Sequence, residues 1–110
     1  MRIIEITEEC YVFIHNQDER TIDKFYQLIE VIRTIRVVNS LFVKKLKETK
    51  FYELRLKVNN EYRIVLLTVD HQNFSESNHI ICLNGFMKKS TKDYKKALRK
   101  AEQIVKNLNQ

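Results

Sequence analysis

The sequence predicts an α+β domain built on a mainly antiparallel sheet of about four strands. Residues 51–58 and 62–69 alternate apolar and polar side chains as half-buried strands do. Residues 21–38 and the segment after residue 90 instead repeat apolar side chains at helical spacing. The elements follow in the order β–α–α–β–β–β–α, which is typical of an α+β architecture. At 110 residues, the chain is expected to form a single domain over residues 1–110.

The N-terminal half is predicted to contain one strand and a helical hairpin. Residues 11–15 resemble a short first strand, and residues 21–38 form a long amphipathic helix with Thr21 as its N-cap. Asn39 and Ser40 interrupt this pattern and can cap a short second helix. The apolar positions of that second helix are Leu41, Phe42 and Leu46.

The next two strands, residues 51–58 and 62–69, are predicted to form a hairpin, because asparagine at positions 59 and 60 tolerates a positive φ. The apolar side chains stand at even positions in both strands, so pairing them requires an odd-length connection. We therefore predict a connection of three or five residues. This register places three cations on one sheet face, away from the main core: Arg55, Lys57 and Arg63.

The C-terminal part is predicted to hold a polar loop over residues 70–78, a strand at residues 79–86 and a final helix. Ser90 or Thr91 is the expected cap of that helix. Its apolar positions form one stripe: Tyr94, Ala97, Leu98, Ala101, Ile104, Val105 and Leu108.

The positive charge is concentrated at the C-terminal end. The chain has 20 basic and 14 acidic side chains and a net charge of +6. Residues 87–110 carry eight of the basic and two of the acidic side chains, which leaves residues 1–86 neutral. A polyanion would therefore be attracted to one end of the molecule. The alternative is an ordinary solvated helix face.

Arginine and lysine on adjacent strands favour a phosphate-binding site, since guanidinium groups bind phosphate in a bidentate manner. The alternative is that Glu53 and Glu61 neutralise these cations in surface ion pairs.

Other kinds of site have little support. No apolar run approaches the roughly 20 residues that span a bilayer, and no signal-peptide pattern is present, so a cytoplasmic location is expected. Cys10 and Cys82 are then expected to be reduced thiols in or near the core. His15, His71 and His79 lack metal-ligand spacing, and a single glycine excludes a glycine-rich phosphate loop. We expect neither a metal nor a cofactor.

Three motifs resemble the RelE/HigB-type bacterial toxins, and most closely the phage-derived branch of the RelE/ParE superfamily. They are LKETKFYELR at residues 46–55, EYRI at residues 61–64 and LNGFMKKS at residues 83–90, followed by the basic helix. The resemblance covers residues 11–108. It implies a RelE-like fold and the toxin of a type II toxin–antitoxin pair, which cleaves mRNA on the translating ribosome. It also implies a cognate antitoxin, commonly a helix-turn-helix DNA-binding protein.

The resemblance assigns catalytic roles to Arg55, Arg63 and Lys88. The two arginines would stabilise charge on the phosphate, while Lys88 or Lys89 would exchange protons with the RNA. The residues that would bind RNA are Lys57, Lys89, Lys92, Tyr94 and Lys95.

Two positions depart from the pattern of many relatives. Asn84 stands where these have histidine, which removes one candidate proton carrier, and Tyr94 stands where many have proline. Tyr94 could stack on a base, but its place on the apolar stripe favours a role in the core.

Two other functions are compatible with the same sequence. One is a ParE-like toxin that acts on DNA gyrase and does not cut RNA. The other is a non-catalytic RNA-binding module. The cationic face favours the nuclease, because a gyrase poison does not need it.

Overall fold

The computed structural model describes residues 1–109. Its centre is a five-stranded sheet in the order β1-β5-β4-β3-β2. Only the β1–β5 pair is parallel, so the predicted α+β class and mainly antiparallel sheet are confirmed, with one strand more than expected. The strands are β1 (Ile3–Ile6), β2 (Val43–Lys45), β3 (Phe51–Val58), β4 (Asn60–Thr68) and β5 (His79–Met87).

Helices cover both faces of this sheet. They are α1 (Glu8–His15), α2 (Glu19–Thr34) and α3 (Lys92–Leu108), with a short 3-10 helix at Phe74–Glu76 inside the predicted polar loop. The main core lies between the sheet and the α1–α2 hairpin, and its fully buried side chains include Phe25, Ile32, Leu54, Leu56 and Ile64. A smaller core lies beneath α3 and includes Phe51, Val65, Leu83, Ala97 and Ala101.

The predicted first strand at residues 11–15 is wrong, because this segment is the second half of α1. The Thr7 side chain caps that helix by accepting the N–H of Cys10. Cys10 and Ile14 are four residues apart, so a helix brings both into the core, where each is fully buried. The true first strand, β1, is absent from the sequence prediction, because its four residues are too few for a clear alternation.

The predicted helix over residues 21–38 is confirmed with different bounds. Asp18 rather than Thr21 is its N-cap, since the Asp18 carboxylate accepts the N–H of Thr21 at 2.8 Å. Thr21 lies inside the first turn and is buried. The short helix expected after Asn39 is wrong: the chain turns there and continues into β2, which pairs with β3.

The hairpin register is confirmed. Leu54 pairs with Ile64 and Leu56 with Tyr62, so even positions face even positions. The connection has an odd length but is shorter than predicted, because the strands extend until Asn59 alone separates them, with a φ of 63°. No helix within residues 1–109 is both long and apolar enough to cross a membrane.

Candidate nucleic-acid interface

The hairpin places the two candidate arginines side by side. Arg55 on β3 is directly opposite Arg63 on β4, and Lys57 is opposite Glu61. All four share the odd-numbered face of the sheet, where α3 packs, and not the face of the main core. Since α3 covers much of this face, the exposed fractions differ: 32% of the Arg55 side chain is exposed but only 5% of the Arg63 side chain.

A buried carboxylate joins the arginines. Oε1 of Glu53 lies 3.0 Å from Nε of Arg63 and 3.4 Å from Nε of Arg55. Only 3% of the Glu53 side chain is exposed. A carboxylate this deeply buried requires partners of opposite charge, and here two guanidinium groups supply them. The alternative of surface ion pairs is therefore partly correct: the carboxylates do pair with the arginines, but the central Glu53–Arg63 pair is buried.

Tyr94 completes this cluster from α3. Its hydroxyl donates to Glu53 Oε1 at 2.7 Å and accepts from Nε of Arg63 at 3.1 Å. Burial and the hydrogen bond to Glu53 raise the pKa of Tyr94, so the phenol remains a donor at neutral pH. Its ring also contacts Phe86 edge to face, with centroids 5.1 Å apart. Tyr94 thus fixes the arginine cluster, and its ring is largely engaged in packing.

Glu61 forms the solvent-facing side of the cluster. Its carboxylate accepts a hydrogen bond from Nη2 of Arg63 at 3.1 Å, and 48% of its side chain is exposed. This hydrogen bond, then the charge of Arg63 and to a smaller extent those of Lys88 and Lys57, lower the pKa of Glu61. The N–H of Lys88 donates to the Glu61 carbonyl at 2.8 Å, which places the end of β5 beside the cluster.

An open groove of about 310 Å³ runs past the arginines. Arg55, Lys57, Glu61 and Arg63 line one part of it. Outside the hairpin, Lys24 from α2 and the exposed side chains of Leu41 and Phe42 line the groove. The sequence did not predict these last three residues as part of the site, because α2 and the turn before β2 approach the hairpin only in the folded chain.

The remaining predicted RNA-binding residues do not join the Glu53 cluster. Lys89, Lys92 and Lys95 are exposed around the start of α3, and within residues 1–109 none of their ammonium groups makes an ion pair. The carboxylate of Asp93 accepts the N–H groups of Lys89 and Ser90 at 2.7 and 2.9 Å and orders this helix start. These lysines form a separate basic surface.

Glu53 is the site residue that the sequence analysis undervalued. Its position two residues before Arg55 on β3 indicates that the two side chains share a face of the sheet. The alternation does not indicate that α3 buries this face. Elsewhere, Cys10 and Cys82 are free, buried thiols, and no group of three or more His, Cys, Asp or Glu side chains within residues 1–109 is placed to hold a metal ion.

Comparison with known proteins places this geometry in a family. The sequence profile described as "Phage derived protein Gp49-like (DUF891)" matches residues 12–106. No curated protein gives a significant match. Among solved structures, a mutant of the E. coli toxin RelE in the free state aligns with a TM-score of 0.59 and 15% identity, over 89% of this chain and 95% of that chain.

The isolated E. coli RelE toxin gives a similar result, with a TM-score of 0.57 and 15% identity over 90% of this chain and 97% of that chain. This likeness in fold agrees with the resemblance found in the three sequence motifs. The profile match spans most of the sequence, including both strands of the arginine hairpin and most of the basic helix. The chain therefore belongs to the phage-derived Gp49-like family and has the fold of the RelE toxin.

Proposed function

We propose that this protein is the toxin of a type II toxin–antitoxin pair and that it cleaves mRNA on the ribosome. The observation that carries the proposal is the pair of arginines held side by side at an open cationic groove. The RelE fold and the motif resemblance supply its biological context. The same resemblance supports a helix-turn-helix antitoxin as the partner and the cytoplasm as the location.

The proposed chemistry needs no group beyond the RNA and the side chains of this chain. The 2′-hydroxyl of the RNA loses its proton and attacks the adjacent phosphorus, and the bond to the 5′-oxygen breaks as that oxygen gains a proton. Arg55, the more exposed arginine, would contact the phosphate oxygens. Arg63, held by Glu53 and Tyr94, would supply a second fixed positive charge next to it.

Lys88 is the proposed proton donor to the leaving oxygen, since it lies at the end of β5 next to Glu61. Glu61 is a further candidate for accepting the 2′-hydroxyl proton, because its exposed carboxylate remains ionised beside Arg63. Lys57, Lys89, Lys92 and Lys95 would hold the flanking RNA backbone, and no cofactor is proposed.

Expression of the protein in bacterial cells, followed by mapping of mRNA 5′ ends, tests this function. We expect new ends within translated regions, and we expect Arg55→Ala to reduce cleavage by about 10²–10³-fold, the usual cost of one transition-state donor. Arg33→Ala is the matched control, since Arg33 lies in the last turn of α2 in a surface pair with Glu30, outside the groove, and should leave cleavage unchanged. Intact mRNA together with double-strand DNA breaks would contradict the nuclease and favour gyrase as the target.

A second candidate function is a non-catalytic RNA-binding module. The observation that favours it is the engagement of Arg63, which is buried and already paired with two carboxylates. In that case the purified protein would bind ribosomes or RNA, but no new mRNA ends would arise, and Arg55→Ala would change affinity alone.

A further inference from the structure

One edge of the sheet is only partly covered. Strand β1 pairs with β5 over His79–Cys82 and then stops. The chain leaves the sheet at Thr7, whose N–H donates to the carbonyl of Cys82 and whose hydroxyl donates to that of Leu83. Beyond this point, no strand within residues 1–109 pairs with the outer side of residues 84–87. A strand paired on one side only presents every second backbone N–H and C=O outward.

A groove of about 430 Å³ lies along this open edge. It runs between α1 and α3, and its lining includes Glu9, Val12, Phe13, Asn84, Gly85 and Lys100. Gly85 permits the close approach of α1, because a Cβ at that position would lie 2.4 Å from the Phe13 ring. The groove therefore combines unpaired backbone with an apolar floor.

The wall of this groove contains a polar atom without a hydrogen-bond partner, which belongs to the side chain of Asn84. The side chain is 3% exposed, and its Nδ2 donates to the carbonyl of Ala97 at 3.1 Å. Its Oδ1 is buried and accepts no hydrogen bond within residues 1–109. Buried carbonyl oxygens normally have a donor, but this one is closed to solvent, so a docked chain could reach it only if the Asn84 side chain moved.

The two rims of the groove differ in charge. On the α1 side stand Glu8 and Glu9 with Val12, whose side chain is 49% exposed. On the α3 side stands Lys100. Successive side chains of a strand added beside β5 would point alternately toward α1 and α3. The best complement is therefore an extended segment that alternates apolar or basic residues with acidic residues.

We propose that this edge groove binds an extended segment of the antitoxin by strand addition to β5. The identity of the occupant rests on the proposed function, whereas the strand addition itself does not. Backbone hydrogen bonds to residues 84–87 hold the segment, and its apolar side chains cover Val12 and Phe13. The arginine groove involves none of these residues, so this contact leaves the arginines uncovered.

A synthetic peptide with the predicted alternation, Arg-Glu-Val-Glu-Val-Glu-Arg with blocked ends, is the probe. In an NMR titration of the full chain, we expect it to shift the backbone amides of residues 84–87 and to protect from exchange those of Gly85 and Met87, whose N–H groups face away from β4. The charge-inverted peptide Glu-Lys-Val-Lys-Val-Lys-Glu should bind more weakly. A peptide N-methylated on alternate backbone nitrogens should not protect these amides, because it cannot complete the ladder.

Val12→Arg narrows the groove and should weaken peptide binding by about tenfold or more, as removal of a central interface residue does. Val37→Arg is the matched control, since Val37 is 72% exposed and lies outside the groove.

Shifts confined to the lysines of α3, or no protection at residues 84–87, would overturn the proposal. Self-association that Val12→Arg abolishes would also overturn it, because a second copy would then be the occupant. Val12→Arg should leave mRNA cleavage unchanged, so failure here and failure of the nuclease are distinguishable.

Discussion

The buried Glu53–Arg63 pair gives the arginine hairpin its rigidity. Each charge is nearly removed from water, and each depends on the other for compensation. Arg63 has a second carboxylate at Glu61, and Glu53 has a second cation at Arg55 and a donor at Tyr94. Arg63 therefore serves the fold as well as the proposed chemistry, and activity lost on its removal has two possible causes.

Replacing Arg63 alone should destabilise the protein. Arg63→Met leaves the Glu53 carboxylate buried beside the less buried Arg55, and we expect a loss of about 3–5 kcal/mol in the free energy of unfolding. The double variant Arg63→Met, Glu53→Leu removes both charges and should recover most of this loss. Urea denaturation measures both. Equal stability of Arg63→Met and the unmodified protein would show that the pair is not a buried ion pair in solution.

Asp70 provides a pH-dependent contribution to stability. The Ser77 hydroxyl and the N–H groups of Asn78 and His79 donate to its carboxylate, and these bonds lower its pKa from 3.8 to about 2. Because the pKa of Asp70 is depressed in the folded state, its carboxylate stabilises the fold above pH 3.8, and this stabilisation is lost as the pH falls toward 2. Asp70→Asn should therefore be less stable than the unmodified protein near neutral pH, and the difference should shrink across that interval.

Urea denaturation at several pH values between about 2 and 6 checks this expectation. Glu76→Gln is the control, because Glu76 is an exposed acid of the same loop. A stability difference that stays constant down to the lowest pH would contradict the role assigned to Asp70.

At the scale of the elements, α1 shows why local pattern misled at residues 11–15. Tyr11, Val12 and Phe13 favour strands by composition. The cap at Thr7, the acidic first turn and burial of Cys10 and Ile14 on one face together outweigh that preference. Tyr11 and Val12 are consequently exposed on the helix, which leaves Val12 available in the edge groove.

Gly85 sets how closely α1 approaches β5. In Gly85→Ala the new methyl group would meet the Phe13 ring at 2.4 Å and the Ile64 side chain at 2.7 Å. We expect a loss of about 1–3 kcal/mol in the free energy of unfolding, as for overpacked cores. Phe13→Leu in the same chain should relieve part of the clash, so the two substitutions should be non-additive in a double-mutant cycle. Additive losses would mean that the two residues are not in contact.

At the scale of the whole molecule, the charge separates into two regions with different roles. The two arginines of the hairpin are paired with Glu53 and Glu61, whereas the excess of basic residues after residue 87 has few acidic partners. The paired arginines are held in fixed positions. The lysines of α3 are exposed and free to follow a phosphate backbone, which is the distribution expected of a positioning surface beside a reactive centre.

The salt dependence of RNA binding tests this division. Binding of a labelled single-stranded RNA to Lys92→Gln/Lys95→Gln should depend less steeply on salt. The slope of the logarithm of the binding constant against the logarithm of the salt concentration should decrease by about 0.7 for each phosphate that the variant no longer neutralises. Lys45→Gln/Lys47→Gln removes the same charge near β2 and should keep the original slope, because Lys45 is paired with Tyr52 on the opposite face of the sheet from Glu53. Fluorescence anisotropy at several salt concentrations measures it. Equal changes in both variants would mean that net charge alone controls binding.

The sequence by itself determined the fold class, the hairpin register and the common face of Arg55 and Arg63. These follow from side-chain alternation and helical periodicity, which are local properties. Only the tertiary structure decided that α3 buries Arg63 with Glu53, that Lys24 and Phe42 complete the groove, and that β1 leaves the β5 edge open. The physical reason is that burial and pairing depend on which distant elements cover a face, and no local pattern encodes this.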